Sequence, residues 1–263
     1  MKLSIIIPAR NEERTVRETV LETVRTLDGA RIRYEIIAVN DSSTDRTAAV
    51  LDQLARECPS VRYIDNDLPR GFGAAVRKGL EYYTGDAVIL LMADRSDSPD
   101  DILTYYRKLQ EGYDCVFGSR FVRGSRLENY PLFKLVLNRA ANTFVGRLFC
   151  AGHNDLTNAF KAYTRDVIEQ IKPLAADDFS LTVELALKAV VRGFRYATVP
   201  IAWRGRKDGV TKFRIKEMGS RYLRVICSLY REDRAARPRS GEITGQKSGA
   251  AAERETVVSG KTA

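Results

Sequence analysis

The feature that most constrains this chain is a set of short, almost wholly apolar segments set between amphipathic ones. Leu3–Ile7 (LSIII), Glu35–Val39 (EIIAV) and Ala87–Met92 (AVILLM) show no polar alternation. A strand with one wet face alternates polar and apolar residues, so strands of this kind are buried on both faces. Between them, Val16, Val20, Val24 and Leu27 keep a three- or four-residue spacing, a helical stripe that Asn11 can cap and Gly29 can end. A second helix is expected from Ser43 or Thr44 to about Arg56. Val61–Ile64 reads as a weaker strand, Gly71-Phe72-Gly73 as a glycine turn entering a helix, and Cys115–Phe117 as a fifth strand. Pro99 suits the first turn of the helix before that fifth strand. Strands interleaved with helices predict a mostly parallel α/β sheet covered on both faces. In such sheets ligands sit at the C-terminal strand ends. Those ends carry Pro8–Glu12, Asn40–Asp45, Asp94–Asp97 and Gly118–Arg120, so four polar segments should converge on one cleft.

The second half reads differently. Leu132–Phe149 is a long helical pattern, His153–Lys161 is polar and then aromatic, and Leu181–Val191 is helical up to Gly193. Tyr196–Ala202 is strand-like and Ile215–Tyr230 helical. From Glu232 the apolar residues run out, which reads as a disordered tail over 232–263 behind a domain of 1–231. No uncharged run approaches the ~20 residues of a membrane span, and MKLSIIIPARNEE has too short an apolar core for a signal peptide. Cys58, Cys115, Cys150 and Cys227 have no paired zinc spacing, so a reducing, cytoplasmic setting is expected.

The net charge is +9, and its placement matters more than its size. From Arg204 to Arg239 twelve Lys/Arg face four acids, a local +8. A surplus of this kind calls for an anionic partner. Nucleic acid ranks last among the choices, because no recognisable binding module is present. In Leu132–Phe149, the residues Phe133, Val136, Leu137, Ala140, Phe144 and Leu148 keep helical spacing. In Ile215–Tyr230, a stripe of Ile215, Met218, Tyr222, Ile226 and Leu229 lies beside Lys216, Arg221 and Arg224. A basic amphipathic helix can lie on an anionic membrane, or it can pack its stripe on its own core.

Seven segments occur in one order: PARNEE (Pro8–Glu13), VNDSSTDRT (Val39–Thr47), GFGAAVRKG (Gly71–Gly79), MADRSDSP (Met92–Pro99), VFGSRF (Val116–Phe121), DLTNAFK (Asp155–Lys161) and RKDGVTK (Arg206–Lys212). In that order they resemble the family-2 glycosyltransferases of the GT-A fold, and among them the dolichol- or polyprenyl-phosphate mannosyltransferases. The likeness covers about Lys2 to Lys216. It implies a Rossmann-like, mostly parallel sheet with a nucleotide-sugar half (1–121) and an acceptor half (122–231).

The resemblance also implies roles for residues. Pro8, Ala9, Asn11, Glu12, Val39 and Asp41 would hold the base and ribose of a GDP- or UDP-hexose. Gly71 and Gly73 would let the backbone approach the donor, and Ala93 and Asp94 would line it. Asp94 would hold Mg²⁺ or Mn²⁺ against the diphosphate, and by their own chemistry Ser96 and Asp97 could donate further oxygens to it directly or through water. The family's usual pair of acids separated by one residue is reduced here, because its first position is Met92. Arg10 stands for the usual aromatic and Asn40 for the usual first acid after Val39. Arg120, Lys134, Asn138, Arg139, Arg206 and Lys212 would meet the phosphate of a polyprenyl or dolichyl acceptor. Catalysis would rest on Asp94, Asp155 and Arg206, with Asp155 orienting sugar or acceptor, since an anionic phosphate needs no strong base. Glu184 could touch sugar hydroxyls or lie on the surface, and His153 has no assigned role. The expected activity is transfer of a mannose- or glucose-type hexose to a lipid phosphate with inversion, on the cytoplasmic membrane face. Two alternatives stand beside it: transfer to a soluble hydroxyl, and a catalytically dead nucleotide-sugar-binding protein.

Overall fold

The computed structural model describes residues 1–149, 151–205 and 215–236. In chain order the elements are β1 (Lys2–Ala9), α1 (Val16–Gly29), β2 (Arg33–Asn40), α2 (Thr47–Glu57), β3 (Val61–Asp65), α3 (Phe72–Gly79), β4 (Ala87–Leu90), α4 (Asp101–Gln110) and β5 (Cys115–Ser119). The second half holds β6 (Arg126–Glu128), α5 (Leu132–Leu148), β7 (Lys161–Thr164), α6 (Arg165–Gln170), α7 (Leu181–Val191), β8 (Tyr196–Pro200), β9 (Ala202–Arg204) and α8 (Ile215–Ala236). Seven strands form one sheet in the order β3-β2-β1-β4-β7-β5-β8, while β6 and β9 make a separate parallel pair.

The apolar runs behave as their composition demands. Successive strand residues face opposite sides, so Ile5 and Ile7 join one core with α1, α2 and α4, while Ile6 joins the other with α3, α7 and α8. All three isoleucines are fully buried. Removing one branched side chain from either layer would cost about 2–5 kcal/mol.

The mostly parallel sheet is as expected, with one strand that the sequence reading passed over. β7 pairs antiparallel with both β4 and β5. Its first residue, Lys161, therefore lies opposite Leu90 and Phe117, at the edge where the parallel strands end. The preceding loop, Gly152–Phe160, is delivered to the same edge as Asp94 and Arg120.

Both expected helix starts are corrected. Asn11 takes a left-handed backbone (φ 55°) and its side chain accepts from the Thr44 N–H, so it ties two loops together instead of capping. Helix α1 begins at Val16, and α2 begins at Thr47, after Ser43 and Thr44. At the other end, α8 continues through Ala236, past Glu232. Residues 237–263, most of the expected tail, lie outside the described residues, as does Cys150.

Candidate active site

The donor-side loops are knitted together by single hydrogen bonds, most of them from backbone N–H groups to side-chain oxygens. Pro8 and Ala9 lie in register beside Val39 and Asn40. Backbone N–H groups of Asn11, Glu12 and Glu13 donate to Ser43 Oγ, Thr47 Oγ1 and Asp45 Oδ2 at 3.1, 2.8 and 3.2 Å. In return Asn11 Oδ1 accepts from the Thr44 N–H at 2.7 Å. Asp41 is buried, and its Oδ1 accepts from the Gly71 N–H (3.0 Å) and Asn66 Nδ2 (2.9 Å). The ends of β1 and β2 and the glycine turn thus form one rigid wall.

Gly71 and Gly73 serve this wall through their own chain. A Cβ on either would strike the backbone of Ala176 or Asp177, and the Ala74 N–H donates to Asp177 O. The close approach expected at these glycines is therefore with residues 176–178. The expected phosphate cradle has its Gly71 donor already engaged by Asp41.

Next along the sheet edge, β4 runs into the Met92–Asp97 turn. Asp94 is half-buried there and its Oδ1 accepts from the Ser96 N–H. Arg95 at φ 60° reverses the chain, and Ser96 O is held by the Arg204 N–H. Asp97 is buried, bridged to Trp203 in the backbone, and its Oδ2 accepts from the Met92 N–H at 3.2 Å. Its Oδ1 has no partner. Burial, reinforced by the charge of Asp94, pushes the Asp97 carboxyl up to about 8.

The acceptor side is organised around one ion pair. Asp155 is fully buried and receives Arg120 in a fork, Nε to Oδ2 at 2.8 Å and Nη2 to Oδ1 at 2.7 Å, with the Arg120 N–H as a third donor. Burial alone would raise the Asp155 carboxyl, but the arginine outweighs it and holds the group below its ordinary value. The Arg120 guanidinium also lies within 5.4–5.8 Å of the ring centres of Phe121, Tyr130 and Trp203. A polar ladder reaches from this pair into α5. Arg120 Nη2 donates weakly to Thr157 Oγ1 at 3.4 Å, Thr157 Oγ1 donates to Asn138 Oδ1, and Asn138 Nδ2 donates to Tyr130 Oη. Asn142 Oδ1 accepts from the Thr157 N–H, and Asn142 Nδ2 donates to Asn138.

These features, a donor wall on parallel strand ends, an acid turn after β4 and a buried Arg–Asp pair facing it, agree with the likeness to known proteins. Residues 4–172 match the family model described as "Glycosyl transferase family 2". The chain belongs to that family. It is 33% identical over 214 residues to the polyprenol monophosphomannose synthase of Mycolicibacterium smegmatis, covering 79% of both chains. It is 29% identical over 232 residues to the dolichol-phosphate mannosyltransferase of Pyrococcus furiosus, covering 87% of this chain and 64% of that one. Among solved structures, glucosyl-3-phosphoglycerate synthase from Mycobacterium tuberculosis in complex with UDP superposes with a TM-score of 0.67 at 18% identity, over 87% of this chain and 80% of that one. The same enzyme in complex with Mn²⁺, UDP and phosphoglyceric acid gives 0.66 at 20% identity, over 91% and 80%. At that identity the likeness speaks for the fold, and the GT-A expectation holds.

Set in the family-2 frame, the expected residues fall into three groups. Pro8, Ala9, Asn11, Glu12, Val39, Asp41, Ala93 and Asp94 come together along the ends of β1, β2 and β4. Arg120, Asn138 and Asp155 come together too, but their polar atoms are largely spent on one another. Arg139 is exposed, its guanidinium 5.1 Å from the Phe121 ring centre at the rim of this cluster. Arg206 and Lys212 lie outside the described residues, as does the Lys134 side chain. Gly205, just before Arg206, is anchored by its N–H to Glu128 O.

Glu184 is buried, not on the surface, accepts from the Ala175 and Ala176 N–H groups and pairs with Lys188 at 2.8 Å, so it fixes the loop behind the glycine turn. The sequence reading also passed over Lys161. Fully buried, it donates Nζ to Leu156 O at 2.8 Å and to Asn158 O, and so clasps the loop that carries Asp155. Burial brings its ammonium down to about 7. His153, its Nδ1 at 3.0 Å from Thr198 Oγ1, is brought down to about 4 by burial and the nearby Lys161 charge.

Proposed function

We propose that the chain transfers a hexose from a nucleoside-diphosphate sugar to a polyprenyl-type lipid phosphate, inverting the anomeric carbon. The observation that carries this reading is the bare face of α5. Leu132, Phe133, Val136 and Phe144 are 60–78% exposed, while Asn138 and Asn142 on the same helix bond into the Arg120–Asp155 cluster. One helix therefore offers an apolar surface to solvent and a polar surface to the acceptor side of the cleft. A substrate with an isoprenoid tail and a phosphate head matches that pairing, and the M. smegmatis and P. furiosus relatives are named for polyprenol and dolichol phosphate.

The chemistry agrees. A phosphate oxygen is already anionic near neutral pH, so attack on C1 needs alignment and charge relief. Asp155 is poorly suited to be a strong base, since both its oxygens accept from Arg120. The donor wall would seat the nucleotide through Asp41 and Glu12, and Arg139, Arg206 and Lys212 would meet the acceptor phosphate. Asp94 would hold Mg²⁺ or Mn²⁺, which when bound neutralises the departing diphosphate. The fit is good for a hard cation taking most of its oxygens from diphosphate and water. Among the described residues no group of three His, Cys, Asp or Glu could cage one alone.

Membrane contact is part of this proposal, in a changed place. Ile226 and Leu229 of α8 are buried in the core, so the described part of that stripe packs inward. The α5 face takes over as the membrane-facing surface. No described helix is long and apolar enough to cross a membrane.

Sugar transfer from GDP- and UDP-hexoses to polyprenyl phosphate, to the dephosphorylated polyprenol and to phosphoglycerate decides the matter. Transfer to the lipid phosphate alone is expected. Preferred transfer to phosphoglycerate would instead favour a soluble acceptor like the phosphoglyceric acid bound by the M. tuberculosis neighbour. Asp94→Asn should lower turnover on the order of a hundred-fold. Arg206→Ala and Lys212→Ala should raise KM for the lipid phosphate while leaving the fold intact.

A further inference from the structure

We propose that Asp97 supplies the second carboxylate of the divalent-cation site, facing Asp94 from the place where Met92 withholds one. This rests on the nucleotide-sugar reading of the cleft and adds to it a ligand that lies outside the family's acid pair. The geometry starts with the turn. Residues 94 and 97 flank Arg95, whose φ of 60° is a conformation that few side-chain-bearing residues adopt. That reversal folds the Asp97 carboxylate back onto the start of the segment, where Oδ2 accepts the N–H of Met92 itself. A carboxylate thus sits against the backbone of the very residue from which the missing acid would project.

The other oxygen has nothing to bond. Asp97 is 6% exposed, yet Oδ1 has no hydrogen-bond partner. A buried polar atom left unpaired is costly and calls for a cause. Arg120, the nearby guanidinium, is held in its fork by Asp155 and makes no ion pair with Asp97. Two neighbouring carboxyl groups, one buried with an oxygen to spare, are what a hard cation neutralises. The backbone bridge between Asp97 and Trp203 lays β9 across this turn, which lowers the local dielectric and strengthens attraction for a cation. Ser96, by contrast, is fixed at both main-chain ends, its N–H to Asp94 and its carbonyl to Arg204. Asp97, expected from the sequence only as a further oxygen donor, thus becomes the second carboxylate of the site.

Mn²⁺ uptake, read from the loss of the free-ion electron paramagnetic resonance signal, tests this with UDP or GDP present and without any sugar transfer. Wild type should bind Mn²⁺. Asp97→Asn should weaken binding at least about tenfold, the scale on which even groups that merely support a ligand act. Adding Met92→Asp to Asp97→Asn should restore most of the affinity, a rescue that a purely structural Asp97 would not allow. Thermal unfolding of each variant reports that it is folded. Should Asp97→Asn fail to fold, Asp97→Ser is read the same way. Equal Mn²⁺ binding by wild type and Asp97→Asn overturns the assignment and leaves the nucleotide-sugar reading in place. Failure of wild type to bind either nucleotide, with or without Mn²⁺, overturns that underlying reading instead.

Discussion

The two halves of the cleft are stabilised in opposite ways. On the donor side, Asn11, Glu12, Glu13, Asp41 and Gly71 share the load through separate hydrogen bonds between neighbouring strand ends, none of them an ion pair. On the acceptor side, one buried charge pair, Arg120–Asp155, anchors a loop 35 residues away in sequence. Many weak ties make a wall that tolerates the loss of any one of them. A single buried ion pair does not, because removing one partner strands the other's charge in a dry interior. In the proposed reading, the flat base and the ribose of a nucleotide suit a preformed wall. In that same reading, a long acceptor tail suits a side whose outer helix is left partly uncovered.

The largest expected effect breaks the acceptor side. Asp155→Ala leaves Arg120 buried without its carboxylate and should destabilise the fold by about 3–5 kcal/mol. Replacing both partners by apolar residues should recover much of that loss. Urea unfolding of the two single variants and the double one checks this. Equal small losses for Asp155→Ala and for Asn11→Ala would erase the contrast between the halves.

The sequence made the donor half legible and hid the acceptor half, for a physical reason. Ile5, Ile6, Ile7, Ile36 and Ile37 announce doubly covered strands because nothing polar can sit there. The acid turn after β4 followed from its place at the end of such a strand. β7 stayed hidden because a buried lysine opens it, and a lysine in a four-residue strand reads as a surface residue until its partners, Leu156 O and Asn158 O, are seen. Asn11 and Ser43 read as caps because capping is what such residues do locally, whereas their bonds here cross between loops. The Arg120–Asp155 fork has no local signal at all. The bare face of α5 was visible as a stripe, but a stripe cannot say whether protein or solvent lies over it.

A second acceptor-side effect follows from His153. Its imidazole is lowered from 6.5 to about 4, burial being the first cause and the Lys161 charge the second, against an opposing pull from Asp155. Between these values the unfolded chain binds a proton that the folded chain does not, so stability falls as pH drops from about 6.5 to 4. The whole window is worth about 3 kcal/mol. His153→Gln should flatten that part of the stability curve relative to wild type. An unchanged acid slope in the variant would move the sensitivity to other groups.

On the donor side the expected losses are smaller. Asn11→Ala removes the acceptor for the Thr44 N–H and puts alanine at φ 55°, so it should cost about 2 kcal/mol, roughly half from the bond and the rest from the left-handed backbone. Nucleotide affinity should fall only a few-fold, because Ser43, Asp45 and Thr47 still tie the two loops. A collapse of nucleotide binding in Asn11→Ala would show that this wall, too, hangs on a single contact.

The smallest effect on stability, and the sharpest test of the outer helix, comes from the bare face of α5. Phe133 and Val136 are 67% and 66% exposed, so Phe133→Ser with Val136→Ser deletes little that the fold buries and should leave the unfolding midpoint almost unchanged. Their burial in a lipid interface would contribute about 1.5–3 kcal/mol each, so the double variant should bind polyprenyl-phosphate vesicles at least about tenfold more weakly. That attraction is apolar and should persist at high ionic strength, where the Debye length is about 3 Å and binding through the basic C-terminal segment fades. Vesicle flotation of wild type and variant at low and high salt separates the two contributions. Binding that vanishes with salt and ignores the α5 substitutions would hand the membrane role back to the basic segment, and leave the exposed face of α5 to be covered by something other than lipid.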